Sequence, residues 1–371
     1  MNILQLPSKA LRCTLQHCDL LEILNFSFVS KKTKQFAKSL HRNVSVVEID
    51  INDFVEVQIW KFEVTQRHDR VKFTFFSNMH RSLPVEDPQF FMDQLIHNGV
   101  IDGPEKMKKF GNGEHLKIQS STTGRVIWMS IPSMGLRKYV DHLLDVLNRV
   151  KLDEFAINKD NYCTESICDE FRDFDIRCFM NPRKMSDSLF HQKIMRHIAS
   201  KCDSLDLCTP VFEPKTHTTQ EFLIQNFDAL RAMYLYKYNL NDILSTNIFL
   251  VFGQVAIDSN QLNLFVRHWI KGSNPRLEYF QIDVPKGMSV EDDLSVILDK
   301  VDFQKQPDSF VRDFPLSVQG YDQFIPSFKN RIIKGGVDIK RANGSIATLK
   351  YCITDSHLRI RMFIFNDDNY T

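Results

Sequence analysis

The sequence contains none of the short motifs whose mechanics announce a chemistry: no G-x-G-x-x-G, no G-x-x-x-x-G-K-[ST], no H-E-x-x-H and no G-x-S-x-G. Dinucleotide-binding, phosphate-loop, zincin and hydrolase readings therefore have no footing, and no residue is expected to be catalytic. A zinc site is equally hard to assemble. The cysteines at 13, 18, 163, 168, 178, 202, 208 and 352 offer only Cys163 and Cys168 as a loose pair, with no second close pair and no spaced histidines. His191 and His197 are six apart on one expected helix and face different sides. Buried or satisfied side chains explain these residues, and neither metal nor other cofactor is expected. With no signal peptide ahead of them, the thiols are expected to be reduced, without disulfides, in cytoplasm or nucleus. No apolar run approaches the roughly 18 to 20 residues of a spanning helix, so a soluble chain without membrane contact is expected. Formal net charge is only +1, which gives no global attraction to nucleic acid or lipid. The one acid-free basic stretch, Lys31, Lys32, Lys34, Lys38 and Arg42, reads as a solvated helix face.

What the chain has in quantity is phenylalanine: 30 residues against 3 Trp and 9 Tyr. A phenyl ring buries apolar area without needing a hydrogen-bond partner, so a core rich in such rings is expected. At the N-terminus, Pro7 suits the start of a helix, and Leu11 and Leu15 lie four apart on one side of it. Asp19 followed three residues later by Glu22 is a capping-box pattern opening a second helix with Leu20, Leu21, Leu24 and Phe28 along one side. Ser30 with Thr33 opens a third, carrying Phe36, Ala37 and Leu40. Three short helices bury very little by themselves, so they must pack on the rest of the chain or on a partner.

Leu6-Pro7, Leu11, Leu15, Leu20, Leu24 and Phe28-Val29-Ser30-Lys31-Lys32 together resemble an F-box. The resemblance implies docking to a Skp-family adaptor, and through it to a cullin ligase, with Leu6, Pro7, Leu11, Leu15, Leu20 and Leu24 as the contacts. Many F-boxes carry Trp where this chain has Thr33.

Beyond Val44 the texture becomes β-rich: Val46–Ile51, Val71–Phe76, Leu116–Ile118 and Arg125–Met129 read as strands, and Asn343-Gly344 between apolar runs marks a hairpin. Between the β-rich ends, triplets with an apolar residue followed by others at +3 and +5 recur: Leu152/Phe155/Ile157, Cys202/Leu205/Leu207, Leu230/Met233/Leu235, Phe252/Val255/Ile257 and Leu277/Phe280/Ile282. The last four end at 207, 235, 257 and 282, spacings close to the roughly 20 to 29 residues of leucine-rich repeats. Helical patterns at 136–149, 186–200, 219–227 and 262–271 precede several of them. The expected fold is α/β (α+β): an F-box at 1–43, a β-rich segment at 44–135, a degenerate leucine-rich-repeat-like β/α solenoid at 136–285, and a β-rich segment at 286–371.

The run from Phe265 through Trp269, Gly272-Ser273-Asn274 and Leu277, with the Asp338–Gly344 hairpin, resembles the F-box-associated domain of nematode F-box proteins. This implies a receptor that recruits an unknown protein substrate. The alternative is a repeat-type scaffold or binding module not linked to ubiquitin ligation. Strand alternation turns the residues between the apolar positions outward. Asp206, Tyr234, Tyr236, Asp258, Tyr279, Gln281 and Asp283 are therefore expected to form an exposed, acidic, tyrosine-bearing substrate face.

Overall fold

The computed structural model describes residues 5–52, 54–61, 69–76, 115–129, 134–159, 162–181, 188–198, 201–208, 221, 227–232, 250–254, 258–285, 290–314, 332–353 and 357–365. The chain divides into two compact units, Met1–Arg177 with Met185–Lys201, and Cys178–Lys184 with Cys202–Thr371.

The first unit opens with helices α1 (Ser8–Gln16), α2 (Leu20–Ser27) and α3 (Lys31–Ser39). Their starts follow from the caps. Asp19 Oδ1 accepts the Glu22 N–H at 2.7 Å, and Glu22 Oε2 accepts the Asp19 N–H at 3.0 Å. Ser30 and Thr33 close the same reciprocal pair at α3, with the Ser30 N–H to Thr33 Oγ1 at 2.8 Å. Thr33 is fully buried, so this small capping residue occupies core space. At the other end, the Arg42 guanidinium donates to the carbonyls of Leu15, Gln16 and Cys18, satisfying acceptors that the end of α1 would otherwise leave unpaired.

Strands β1 (Val46–Ile51), β2 (Val55–Lys61), β3 (Asp69–Phe76), β4 (His115–Ser120) and β5 (Val126–Met129) follow as an antiparallel run, with β6 (Leu152–Ile157) parallel to β1. One face carries Ile49, Val57, Phe73, Ile118 and Phe155, all buried. Helices α4 (Leu136–Val146) and α5 (Thr164–Phe171) cover it: Tyr139 meets Phe75 edge-on at 5.3 Å, and Phe171 meets Phe155 at 4.7 Å. Helix α6 (Ser188–Ile198) packs beside α5. Strand β2 was not among the sequence expectations, although Val55, Val57 and Ile59 alternate in the pattern of a half-buried strand.

The second unit contains β7 (Ile176–Asn181) for most of its length, then β8 (Cys202–Leu207), β9 (Ala229–Ala232), β10 (Leu250–Gln254) and β11 (Tyr279–Pro285). From β8 to β11 the strands pair in parallel. The sheet then turns antiparallel through β15 (His357–Phe365), β14 (Ile346–Ile353), β13 (Ile332–Lys340) and β12 (Phe303–Asp313). Helix α7 (Ser259–Ile270) lays Phe265 flat on Phe280 with centroids 4.4 Å apart. Helix α8 (Val290–Ile297) packs on α7, where Asn263 Nδ2 donates to the carbonyls of Ile297 and Asp299 at 2.9 and 2.8 Å.

The mixed α/β class and the three N-terminal helices stand as expected. The triplets at 152–157, 202–207 and 277–282 coincide with β6, β8 and β11, while Met233, Leu235, Val255 and Ile257 lie outside the described residues. The phenylalanine-rich core is present, with Phe73, Phe155, Phe171, Phe179, Phe265, Phe280 and Phe314 among its largest fully buried side chains.

Candidate functional site

The N-terminal helices are seated on their own unit through α4. Phe28 stacks on His142 at 4.2 Å and meets Tyr139 at 5.5 Å, while Ser27 Oγ lies 2.8 Å from His142 Nε2. Lys34 and Lys38 both reach Asp145, at 2.8 and 2.5 Å, and Arg125 reaches Glu22 at 2.6 Å. Arg149 donates to the Val44 and Ser45 carbonyls. Lys34, Lys38 and Arg42 of the basic stretch thus have intramolecular partners, leaving Lys31 and Lys32 exposed. Hydrogen bonds from Lys34 and Lys38 hold the Asp145 carboxyl below its ordinary range. Burial first, and then the Lys34 charge, push His142 down to about 4.

The residues expected to contact an adaptor differ in exposure. Leu11, Leu15, Leu20 and Leu24 are buried in the helical module, where with Leu21, Ile23 and Ala37 they supply its small core. Leu6 is half-buried and Pro7 exposed. The open surface includes Pro7 at the start of α1, Ala10, Cys13 and Thr14 on it, and Val29 between α2 and α3.

In the second unit the expected substrate residues meet a row of arginines that sequence reasoning missed. Arg359 grips Asp283 with two bonds, at 2.7 and 2.8 Å, and Arg361 Nε donates to Gln281 Oε1 at 3.1 Å. Arg231 pairs with Asp206, which has no exposed surface. The hydroxyl of Tyr279 donates to Gln281 at 2.8 Å, and its ring is enclosed by Phe363 at 5.2 Å and Phe314 at 6.3 Å. Burial raises the Tyr279 phenol well above its ordinary range.

Asp206, Gln281 and Asp283 therefore do share one sheet face, but it is charge-paired and not acidic, and neither Asp206 nor Tyr279 is exposed. The physical reason is the antiparallel neighbour β15, whose Arg359 and Arg361 fall opposite Asp283 and Gln281. Asp258 is not on this face; it caps α7, accepting the Gln261 N–H at 2.8 Å. Tyr234 and Tyr236 lie outside the described residues. The missed signal was the R-x-R spacing at 359 and 361, which puts two cations on one side of a strand.

The Trp, Gly-Ser-Asn and hairpin signature is a structural latch. Helix α7 stops at Gly272, whose φ of 113° suits only glycine, with its N–H bonded to the Trp269 carbonyl at 2.9 Å. Trp269 is fully buried, and the Arg341 guanidinium from the β13–β14 hairpin lies 5.3 Å over its ring and donates to the Ser273 carbonyl at 2.7 Å. Burial lowers the pKa of Arg341. These residues fix the hairpin to the helix end. Among the described residues, no cluster of three or more His, Cys, Asp or Glu is arranged to hold a metal.

Residues 3–45 match the F-box domain family, and residues 218–282 match the family described as F-box associated. The chain thus carries both an N-terminal F-box and an F-box-associated domain. No curated protein and no solved structure matches it.

Proposed function

We propose that this chain, which joins an F-box domain to an F-box-associated domain, is the substrate-recognition subunit of a Skp-cullin-F-box ubiquitin ligase, acting in the cytoplasm, the nucleus or both. The observation that carries the reading is the pairing of these two family matches in one chain. In this arrangement the F-box docks a Skp-family adaptor, the second unit holds a protein substrate, and ubiquitin transfer belongs to the other subunits. The protein's own contribution is positional: it raises the local concentration of substrate at the ligase.

The seating on α4 supports this role. With α2 and α3 fastened to Tyr139, His142 and Asp145, a docked adaptor is linked to the first unit through packed helices and not through a flexible tether. The parallel run β8 to β11, with α7 returning over one face, supports reading 202–285 as a degenerate leucine-rich-repeat-like array.

The test is co-expression of the full chain with a Skp-family adaptor, followed by co-purification. A 1:1 complex is expected. Because Leu11 is core, Leu11→Asp should unfold the module and is a poor probe of docking. Replacing Ala10 and Cys13 by Glu instead changes the open side of α1. This double change should weaken adaptor binding at least tenfold, since burying unpaired carboxylates costs several kcal/mol, while circular dichroism stays unchanged. A well-folded wild-type chain that forms no adaptor complex overturns the reading.

A further inference from the structure

Strand β12 is the outermost strand of the described sheet in the second unit, and it is exposed along nearly all its length. Phe303 is 52% exposed and Val311 54%, in a strand whose other edge pairs with β13. A long edge strand with bare apolar side chains invites pairing with another extended chain, and proteins blunt such edges unless they use them.

The blunting here is confined to the middle. Residues Phe303–Gln306 and Val311–Asp313 are in register with β13, and the residues between them form a bulge containing Pro307 and Asp308. Gly335 and Gly336 admit that bulge. Their φ values are 56° and 116°, and a Cβ on Gly335 would lie 2.8 Å from Asp308 Oδ1. Asp338 ties both arms down, accepting from Gln306 at 2.8 Å and from Arg312 at 3.1 Å. The first arm is thereby a rigid, in-register edge.

Beside that arm lies a groove of about 700 Å³. Leu294 and Leu298 of α8 form one wall, and Phe303, Val337 and Tyr351 contribute apolar surface from the sheet, Tyr351 being 43% exposed. The charged side chains lining it are Lys305, Lys350 and Asp308, two cations against one anion. Lys350 donates to the Lys334 carbonyl, which holds its charge at the rim.

We propose that an extended peptide segment of the substrate adds as a strand to Phe303–Gln306, placing an apolar side chain in the groove and carboxylates beside Lys305 and Lys350. The strand edge, unpaired among the described residues, selects an extended backbone, the groove selects an apolar residue at alternate positions, and the net positive rim selects flanking acids. This inference rests on the receptor reading and names the substrate feature recognised by it.

The test uses the full chain and a phage-displayed library of random decapeptides, panned in parallel on wild type, Tyr351→Arg and Lys305→Glu. Both altered side chains are exposed, so the fold should tolerate the changes. Wild type should enrich peptides with alternating apolar residues and flanking Asp or Glu. Tyr351→Arg should weaken the best of these at least tenfold, and Lys305→Glu should shift enrichment away from acidic flanks. In the best peptide, N-methylation of alternate backbone amides should abolish binding in one set and spare it in the other, as strand addition requires. The proposal is overturned by no enrichment, by enrichment indifferent to both substitutions, or by equal tolerance of both N-methylation sets. It is also overturned by a concentration-dependent dimer that Tyr351→Arg abolishes, because the edge would then belong to a second copy of the chain. Adaptor co-purification on the same sample separates the two readings: an adaptor-competent chain that fails at panning removes the groove and leaves the receptor function intact.

Discussion

The two units each present a polar sheet face, and they handle charge in opposite ways. In the second unit the carboxylates Asp206 and Asp283 have Arg231 and Arg359 opposite them, and the Gln281 amide oxygen accepts from Arg361. In the first unit, Glu48 stands directly across the parallel β1–β6 pair from Glu154, with Asp50 on the same side. The Trp60 Nε1–H, at 3.0 Å, and the Arg70 charge relieve Glu48 in part. Burial, and then the Glu154 charge, raise Glu48 to about 7. Both faces arise from ordinary strand alternation, so the difference lies entirely in what the neighbouring strand places opposite each acid.

Breaking the matched face should produce the largest effect. Asp206→Ala leaves the half-buried Arg231 guanidinium without the fully buried carboxylate it pairs with, and should cost about 2 to 3 kcal/mol in urea unfolding, less than a wholly buried pair because solvent reaches Arg231. A loss below about 1 kcal/mol would mean that the pairing is incidental.

Relieving the mismatched face should do the reverse. The folded-state pKa of Glu48 lies above its unfolded value, so the native state holds that proton more tightly. Stability from this group is therefore fully present below about 4.5 and falls as pH rises through about 7. Glu48→Gln should stabilise the protein by about 1 to 3 kcal/mol at pH 8 and have little effect at pH 4, measured as paired unfolding curves at the two pH values. A gain that is equal at both would assign the effect to packing and not to charge.

This contrast also explains which parts of the molecule could be read in advance. Helix starts were legible, because a cap is a local contract: Asp19 with Glu22 and Ser30 with Thr33 sit three residues apart and bond as their spacing dictates. Strand positions such as 46–51 and 202–207 were legible from alternation alone. The character of the candidate face was not. Asp283 and Arg359 are distant in sequence, and only the β11–β15 register makes them neighbours. Exposure failed for the same reason: Tyr279 is buried by Phe314 and Phe363, which no local pattern connects to it. The groove beside β12 was invisible because α8, β13 and β14 build it together, and neither β12 nor β15 had been expected as a strand.

The F-box seat permits a finer use of the comparison, because His142 is a half-buried base placed beside like charge. Its folded pKa of about 4 lies below the ordinary value of 6.5, so the unfolded chain takes up the proton first. The contribution of His142 is present above about 6.5 and is lost as pH falls toward 4. Since the ring is only partly buried, solvent screening should limit the effect to about 1 kcal/mol. Because Glu48 works in the opposite direction over the same pH range, it should appear in a Glu48→Gln background, as a lower Tm at pH 5 than at pH 7, and adding His142→Gln should flatten that slope.

Lys34 contributes to this depression, yet it also pairs with Asp145, so removing it pulls in two directions. Lys34→Ala loses a partly exposed ion pair that Lys38 still supplies, and should cost only about 0.5 kcal/mol at pH 7. The same change removes a positive neighbour from His142 and leaves Asp145 to favour its protonated form. The imidazole should consequently titrate at higher pH in Lys34→Ala than in wild type, read from the His142 ring-proton shifts by NMR. Burial remains the first cause of the shift, so the midpoint should rise without reaching 6.5. An unchanged midpoint would show that Lys34 acts on the seat only through Asp145.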